Sequence, residues 1–531
     1  MKKPRISLCM IVKNEEHNLP RCLDSVQGQV DEIVVVDTGS TDRTVEVASR
    51  YGAKMVTFAW NGDFSAARNV SLDHASGDWV LWLDADEELL EGTGGMTLPE
   101  LAASTDVDAY LVPIQNMKAD GSFTAHFAVR FFRKLEGIRF EGKAHESVGD
   151  WLLRQNARIA QSPVPIRHWG YAVSDGELQR KLDRNLELLM AQLKQTPNSS
   201  YVHYYIGMTL IGKKDFEGSF RHLQKAHELG PETPNMECLV ANMIAHHHLH
   251  RCQYDEAEKW ARRSLAVTTQ QHTGRLFLGI ALYNQKKFAE ALPLLQGAYQ
   301  FQRQPLMRRR SDISLEHAHG EKELLWAVAR SAYEVGRYPL AYQFLERLSR
   351  SYSPDGTVAL LQGLCALAME SYRSATCHFQ QAGALGASWA VLGAPWVQAL
   401  LRLDRADEAL RVLEDAGASF FHNEKAGSIF TTLVERCFES QRIGALSKVL
   451  ERIVRNGPTH PLVLDALAVC RIKAGDYARA AEALEALLEL DPGNPEVRRR
   501  LAAVWYGLGD RERAAHLLRH GRSREAVGAM W

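Results

Sequence analysis

Apolar residues in the first third of the chain fall into short unbroken runs, and between those runs they recur every three or four positions. The runs are Ser7–Val12, Ile33–Val36 and Trp79–Leu83, with a shorter one at Lys54–Phe58. Such runs predict strands buried on both faces. The stretches between them predict helices. Leu19, Cys22, Leu23 and Val26 share one face of a helix that Asn14 can cap, the turn Thr38-Gly39-Ser40-Thr41-Asp42 caps a second helix through Ser49, and Phe64–His74 is a third. Alternation of this kind builds a parallel α/β sheet with helices on both faces, and such sheets take ligands beyond the carboxyl ends of their strands. From Ala109 to Tyr171 the pattern loosens, leaving strand candidates at Ala109–Ile114 and Phe127–Phe132.

From about residue 180 the chain reads as helix with a period of 34. Small residues recur at Ala257 and Ala291, at Ala341, Ala375 and Ala409, and at Ala480 and Ala514. An aromatic precedes most of them by three, as Tyr254, Phe288, Tyr338, Tyr372 and Tyr477. A second small position stands twelve earlier, at Ala245, Gly279, Ala329, Gly363, Ala468 and Ala502. Small residues at a fixed period let paired helices approach closely, with the aromatic expected to fill the groove beside them. This is the signature of tetratricopeptide repeats, and an unrelated bundle would not keep the register. A first unit fits Gly207, Phe216, Ser219, Ala226 and Pro231, and a degenerate one lies near residues 427–458. The period gives roughly eight or nine units, with spacers around residues 304–321 and 418–426. The implied divisions are 1–175 for the α/β domain, 176–199 for a helical linker and 200–531 for an all-α repeat solenoid.

A chain of 531 residues is too long for one core, in line with that division. Its 46% apolar and 24% charged residues are ordinary for a globular protein, and a net charge of −1 leaves no basic field for nucleic acid. Eight cysteines are scattered without a CxxC pair, which fits buried thiols in a reducing compartment better than a disulfide frame or a zinc site. The basic start Met1-Lys2-Lys3-Pro4-Arg5 precedes an apolar run that ends at Lys13, too short for a signal peptide, and no run is long enough to span a bilayer. These features place the protein in the cytoplasm, with no transmembrane segment. His246-His247-His248-Leu249-His250 is expected to be repeat helix, because consecutive side chains diverge around a helix and only His246 and His250 share a face.

The candidate chemistry sits at predicted strand ends. Asp37 closes the second run and Asp84-Ala85-Asp86 closes the third. Carboxylates at two such points are what is needed to hold a nucleotide base at one and a metal-bound diphosphate at the other. Moving a sugar off a nucleoside diphosphate sets three requirements. The leaving diphosphate must be neutralised, which a divalent cation on hard oxygen ligands does. The base must be gripped, and a carboxylate can accept the N3–H of uracil. The acceptor must lose a proton as it attacks, to a carboxylate or a histidine.

Four segments occur in order on the predicted elements: Ile6-Ser7-Leu8-Cys9-Met10-Ile11-Val12-Lys13-Asn14-Glu15-Glu16, Val34-Val35-Val36-Asp37-Thr38-Gly39-Ser40-Thr41-Asp42, Ala67-Arg68-Asn69 and Leu83-Asp84-Ala85-Asp86. Through them the first 170 or so residues resemble the family 2 glycosyltransferases of the GT-A (Rossmann-like) fold. The fusion to tetratricopeptide repeats resembles a bacterial subgroup that includes peptide S-glycosyltransferases. The resemblance implies an inverting transferase that uses a UDP-sugar and Mg²⁺ or Mn²⁺. It assigns Asp37 to the uracil N3–H, the alternative being a cap for its own turn at Ser40 or Thr41. It assigns Arg68 to the base or diphosphate, the alternative being an ion pair with Asp63 or Asp73. Lys13 and Glu15 would line the nucleotide pocket, Asp84 would meet the ribose or metal, and Asp86 would ligate the metal; the alternative for the pair is a solvated acidic turn running into Glu87-Glu88. In Gly142-Lys143-Ala144-His145-Glu146, Glu146 is expected as general base with His145 as its competitor. In Ile166-Arg167-His168-Trp169-Gly170-Tyr171, His168 is expected as a further metal ligand. Arg130 and Arg133 are candidates for the diphosphate or acceptor, or else solvated strand-edge residues.

The expectation is a sugar transferase of the hexosyltransferase class whose repeats present a peptide or protein acceptor. One rival is a scaffold whose repeats carry the function and whose transferase domain is degenerate; the retention of Asp37, Asp84, Asp86 and His168 argues against it. The other is a transferase for a lipid-linked or polysaccharide precursor, disfavoured by the lack of a membrane helix or basic amphipathic patch. Repeat solenoids often pair through terminal helices, so a homo-oligomer stays open.

Overall fold

The computed structural model describes residues 3–117, 123–143, 145–170, 175–269, 271–304, 320–353, 355–457 and 460–519. Most of the expected spacer at 304–321, together with Ala144 and Tyr171, lies outside the described residues. The chain divides into two compact units, Met1–Leu324 and Leu325–Trp531.

In the first unit β1 (Ile6–Val12), β2 (Glu32–Asp37), β3 (Lys54–Thr57) and β4 (Trp79–Trp82) alternate with α1 (Leu19–Ser25), α2 (Thr44–Arg50) and α3 (Phe64–His74). The strands pair in parallel in the order β3–β2–β1–β4. Both faces of β1 are buried, as its apolar run requires. Leu8, Met10 and Val12 pack with Leu19, Cys22 and Leu23 of α1, while Cys9 joins Val34, Leu72 and Ala75 on the other side. Asn14 does not cap α1, whose cap position is Asn18. Instead Asn14 takes a φ of 56° and its side chain accepts from the Thr41 amide at 2.8 Å, tying the β1 and β2 loops together.

Beyond β4 the sheet changes direction. β5 (Glu87–Leu89), α4 (Leu98–Ala102), β6 (Ala109–Met117), β7 (Phe123–Arg133), α5 (Gly149–Arg154), β8 (Ile159–Gln161) and β9 (Ile166–His168) follow. β7 runs antiparallel to β4 and β6, and β5 runs antiparallel to β9, completing a nine-stranded mixed sheet. The expected parallel sheet is therefore only the first half. The loosened pattern after Ala109 encodes a long hairpin, and strands of three residues are too short to show a period.

α6 (Asp175–Gln195) leads to a series of helix pairs: α7 (Ser200–Gly212) with α8 (Phe216–Glu228), α9 (Pro234–His250) with α10 (Tyr254–Val267), and so on to the pair Pro495–Gly507 and Arg511–Arg519. Each pair turns through one residue in the left-handed region. These are Lys214, Cys252 and Lys286 in the first unit and Gly336, Glu370, Asp404, Gln441, Gly475 and Gly509 in the second, which marks nine pairs among the described residues. The small positions are closed contacts: Ala257, Ala291, Ala341, Ala375, Ala409 and Ala480 are fully buried. The aromatics three residues earlier do not fill that groove. Tyr254, Phe288, Tyr338, Tyr372 and Tyr477 are each the first residue of the second helix, half-buried or, for Tyr477, exposed. Phe288 and Tyr338 pack edge-on against the preceding helix, on Tyr283 at 5.9 Å and on Tyr333 at 5.7 Å between centroids. Residues Gly417–His422 form a short 3₁₀ segment. Among the described residues no helix is long and apolar enough to cross a membrane.

Candidate active site

The register of the parallel strands sets the strand-end carboxylates on either side of β1. Val12 pairs with Asp37, and Cys9 pairs with Trp82 just before Asp84. A recess of about 430 Å³ opens there. It is lined by Lys13, Glu15, Arg68, Asp84, Asp86, His145, Glu146 and His168, eight of the ten expected site residues. The other two stand apart. Asp37 caps its own turn, accepting from the amides of Gly39 at 3.2 Å and Ser40 at 3.1 Å, and it is the next residue, Thr38, that reaches the recess. Arg133 lies at the opposite end of β4, paired with Trp79 because β7 runs antiparallel. Its guanidinium stacks 4.7 Å from the Trp79 centroid and donates to the carbonyls of Val107 and Ser104. The geometry keeps it out of the recess.

Arg68 is 4% exposed and holds two carboxylates. Its Nε donates to Glu146 Oε1 at 2.5 Å and its Nη2 to Asp84 Oδ1 at 2.7 Å. The alternative partners are engaged elsewhere: Asp63 caps α3 through the Ala66 amide and Asp73 pairs with Arg139. Arg130 is no solvated edge residue either, since it is buried and donates to Glu87 at 2.7 Å. Both guanidinium groups lie over the Trp82 ring, at 4.1 Å for Arg68 and 3.4 Å for Arg130, where the ring's electron-rich face attracts the cations. Glu87 is fully buried and accepts from the Asp84 amide at 2.9 Å, so the Asp84–Asp86 turn is pinned from below, and no solvated acidic run continues through Glu87. Burial alone would raise the Asp84 carboxyl, but Arg68 and Arg130 outweigh it and hold Asp84 well below the usual carboxylate range. Burial shifts Glu15 the other way, upward.

Asp86 Oδ2 and His168 Nε2 face each other at 3.5 Å. β9 brings this about by pairing His168 with Asn116 of β6 on one side and with Glu87 of β5 on the other. His168 Nδ1 lies 2.9 Å from Asn116 Oδ1. A proton on Nδ1 donated to that oxygen leaves the Nε2 lone pair toward Asp86, the tautomer a metal ligand needs. Gly170 keeps the gap open, for a Cβ there would lie 2.4 Å from His168 Nε2 and 2.7 Å from Asp86 Oδ2. These features fit a divalent cation. No three His, Cys, Asp or Glu side chains among the described residues form a full ligand set. Mg²⁺ commonly takes one or two protein carboxylates and completes its shell with water and substrate phosphates.

Residues 7–158 match the model described as glycosyl transferase family 2, and residues 471–529 match that of a tetratricopeptide repeat. The N-terminal part of the chain is a family 2 glycosyl transferase domain. A TPR repeat-containing protein of Synechococcus elongatus is 38% identical over 245 residues, 43% of this chain and 58% of that protein. The SPbeta prophage-derived glycosyltransferase SunS of Bacillus subtilis is 26% identical over 230 residues, 42% of this chain and 53% of that protein. An uncharacterized glycosyltransferase of Rickettsia typhi is 40% identical over 111 residues, 21% of this chain and 37% of that protein. The chain thus spans little more than half the length of the first curated relatives it matches.

The family 2 glycosyl transferase domain does not close its recess alone. α6, expected as a linker, supplies Lys181, Arg184 and Asn185 to the lining and lies outside the matched segment. Lys181 Nζ stands 3.8 Å from Asp86 Oδ2 and donates to the Gly170 carbonyl at 3.2 Å. Arg184 lies over the Phe64 ring at 5.5 Å, and Trp60 meets that ring edge-on at 4.8 Å. Trp60 and Phe64 also line the recess. The available signal in the sequence is the spacing of Lys181 and Arg184, three apart and hence on one helix face. His145 adopts a φ of 59°, a left-handed conformation that costs a non-glycine residue about 1–3 kcal/mol. Surrounding protein lowers its imidazole to about 4, although the residue keeps an exposed edge, so it is neutral at neutral pH. In α9, His246 and His250 approach to 3.0 Å between Nε2 atoms, as their shared face allows.

Proposed function

We propose that this protein is an inverting, metal-dependent glycosyltransferase that moves a sugar from a UDP-sugar to a peptide or protein acceptor. The observation that carries the reading is the meeting in one recess of Asp86 and His168, with Gly170 holding the gap between them, and Glu146, held by Arg68. Asp86 and His168 would hold Mg²⁺ or Mn²⁺, which supplies charge neutralisation for the leaving diphosphate. Lys181 and Arg184 add fixed positive charge at the same wall. Lys13 and Glu15 flank the nucleotide, and Asp84 takes the ribose side. Asp37 stands outside the recess lining, next to Thr38, and the lone pairs its turn leaves unused would take the uracil N3–H at that edge. Trp60 and Phe64 offer aromatic faces to the base or sugar.

The acceptor atom attacks the anomeric carbon as the bond to the diphosphate oxygen breaks, and the acceptor proton passes to Glu146. One displacement inverts the anomeric centre. Arg68 fixes Glu146 through Oε1 and so aims the rest of the carboxylate. Neutral His145 is adjacent but is turned onto the aromatic ring of Tyr205, with centroids 4.3 Å apart, and Glu146 is the better candidate for the proton. Helix pairs of the tetratricopeptide type suit an extended polypeptide, which favours a peptide or protein acceptor.

The test is calorimetric titration of UDP into the intact chain and into Asp86→Ala, with and without Mn²⁺. Metal-dependent binding that Asp86→Ala abolishes supports the donor site. A fully active Asp86→Ala enzyme would sink the assignment.

A further inference from the structure

The loop that carries Glu146 is closed at its base by paired hydrogen bonds between the Glu141 and Ser147 backbones, both 3.0 Å. Its tip is conformationally demanding, with φ of 95° at Gly142 and 59° at His145. A segment in such a conformation keeps it only where surrounding structure over-determines it. Part of that structure lies in the transferase domain: the Phe64 amide donates to the Lys143 carbonyl at 3.0 Å. The connecting helix adds one tie, from Lys143 Nζ to Gln195 Oε1 at 2.8 Å. The contacts at His145 itself come from α7, the first helix of the repeats. Tyr201 Oη donates to the His145 carbonyl at 2.7 Å. The Tyr205 ring stacks on the imidazole with centroids 4.3 Å apart and planes 15° apart. Tyr201 and Tyr205 are four apart, share one face of α7 and touch each other at 4.6 Å. α7 is anchored from behind, where Val202 and Ile206 pack with Leu189 of α6.

We infer that Tyr201 and Tyr205 are positioning residues for transfer: the first repeat helix clamps the His145–Glu146 loop and thereby aims the Glu146 carboxylate into the recess. This rests on the transferase reading given above. The two tyrosines do not line the recess, and they act through the loop they hold. Burial keeps the Tyr201 hydroxyl protonated far above neutral pH, so it remains a donor throughout the working range. A consequence is that a chain cut at the start of the repeats loses the clamp along with the repeats, and its inactivity would say nothing about acceptor presentation.

The experiment uses the full chain as wild type, Tyr205→Ala, Tyr205→Phe and Tyr201→Phe. Three readouts are taken: amide hydrogen exchange across residues 141–147, calorimetric UDP binding with Mn²⁺, and turnover of UDP-glucose, UDP-galactose and UDP-N-acetylglucosamine by water. In that turnover water attacks the anomeric carbon, UDP leaves and the proton goes to Glu146. Tyr205→Ala should exchange faster in the loop and lose about tenfold to a hundredfold in kcat, with KM and UDP affinity near wild type. Tyr205→Phe keeps the ring and should restore both exchange and kcat, while Tyr201→Phe should fall between. Wild-type exchange in Tyr205→Ala would overturn the clamp, and faster exchange with unchanged kcat would overturn its role in transfer. A wild-type chain that neither binds UDP nor turns over any of the three donors would instead fail the transferase reading, and the exchange data would still decide whether the tyrosines hold the loop.

Discussion

Nε of Arg68 donates to Oε1 of Glu146 across 2.5 Å, so the middle of α3 grips the loop that carries the proposed base. The same guanidinium holds Asp84, whose side chain is 36% exposed, and removing it leaves the 9% exposed side chain of Glu146 without its cation. Arg68→Met should cost about 3–5 kcal/mol of stability, the range for an orphaned buried charge. Arg68→Lys keeps the charge but cannot span both partners and should fall between. Urea unfolding of the three proteins checks this. An unchanged midpoint in Arg68→Met would mean the pair contributes nothing net.

Gly170 is the narrowest test of the metal gap. Gly170→Ala places a methyl between His168 and Asp86 without touching either residue's chemistry. Metal-dependent UDP affinity should fall about 10–100-fold, the range seen when the support of a metal ligand is disturbed. Titration with and without Mn²⁺ measures it. If Gly170→Ala binds UDP and Mn²⁺ as wild type does, the cation sits elsewhere.

Lys181 and Arg184 should recognise phosphate, not base. Lys181→Ala and Arg184→Ala should each weaken UDP by about tenfold to a hundredfold, as loss of a charge-assisted hydrogen bond does. Uridine should bind all three proteins alike. A parallel loss for uridine would move the residues to the base.

His247 is 8% exposed and stacked on Phe220 with centroids 4.1 Å apart. Burial, aided by Arg251, lowers its imidazole from 6.5 to about 4. The unfolded chain therefore gains this proton as pH falls through 6.5, while the folded chain stays neutral until about 4. Stability should drop between those values and level off below them. Denaturant midpoints at pH 7, 6 and 5 should show the slope, and His247→Phe should flatten it. A slope that His247→Phe leaves intact belongs to other groups.

Two glycines in repeat helices should respond in opposite directions. A Cβ at Gly363 would meet two Phe379 ring carbons at 2.5 Å, so Gly363→Ala should cost about 1–3 kcal/mol. Gly297 has nothing within 4 Å of its would-be Cβ, and Gly297→Ala should gain about 0.5–1 kcal/mol from helix propensity. Thermal unfolding compares them. Equal shifts would show that contact geometry is not what decides.

The reach of the sequence follows from how local each feature is. α3 is legible to the residue because Asp63 caps its start and Ala67 and Leu72 face the core. β5 and β9 are not, because three-residue strands have no period and their partners are far along the chain. The Asp86–His168 approach depends on that distant pairing, so sequence alone yields the two residues and not their distance. Arg130 and Arg133 look equivalent in the sequence, yet an odd spacing in a strand sends them to opposite faces: one reaches the Trp82 ring and the other the Trp79 ring. The part that α6 plays at the recess is not legible because a polar helix face reads the same whether it meets solvent or a polar recess.

Six of the nine left-handed turn residues carry side chains: Lys214, Cys252, Lys286, Glu370, Asp404 and Gln441. Each tolerates a conformation that glycine adopts freely and that costs another residue about 1–2 kcal/mol. Glycine gives back part of that difference through its more flexible unfolded state, so each exchange should yield a modest gain. The same address recurs from pair to pair, and none of the six residues lines the recess. Heat-tolerant descendants of this protein would therefore be bred most directly through its turns, with the sugar chemistry left untouched.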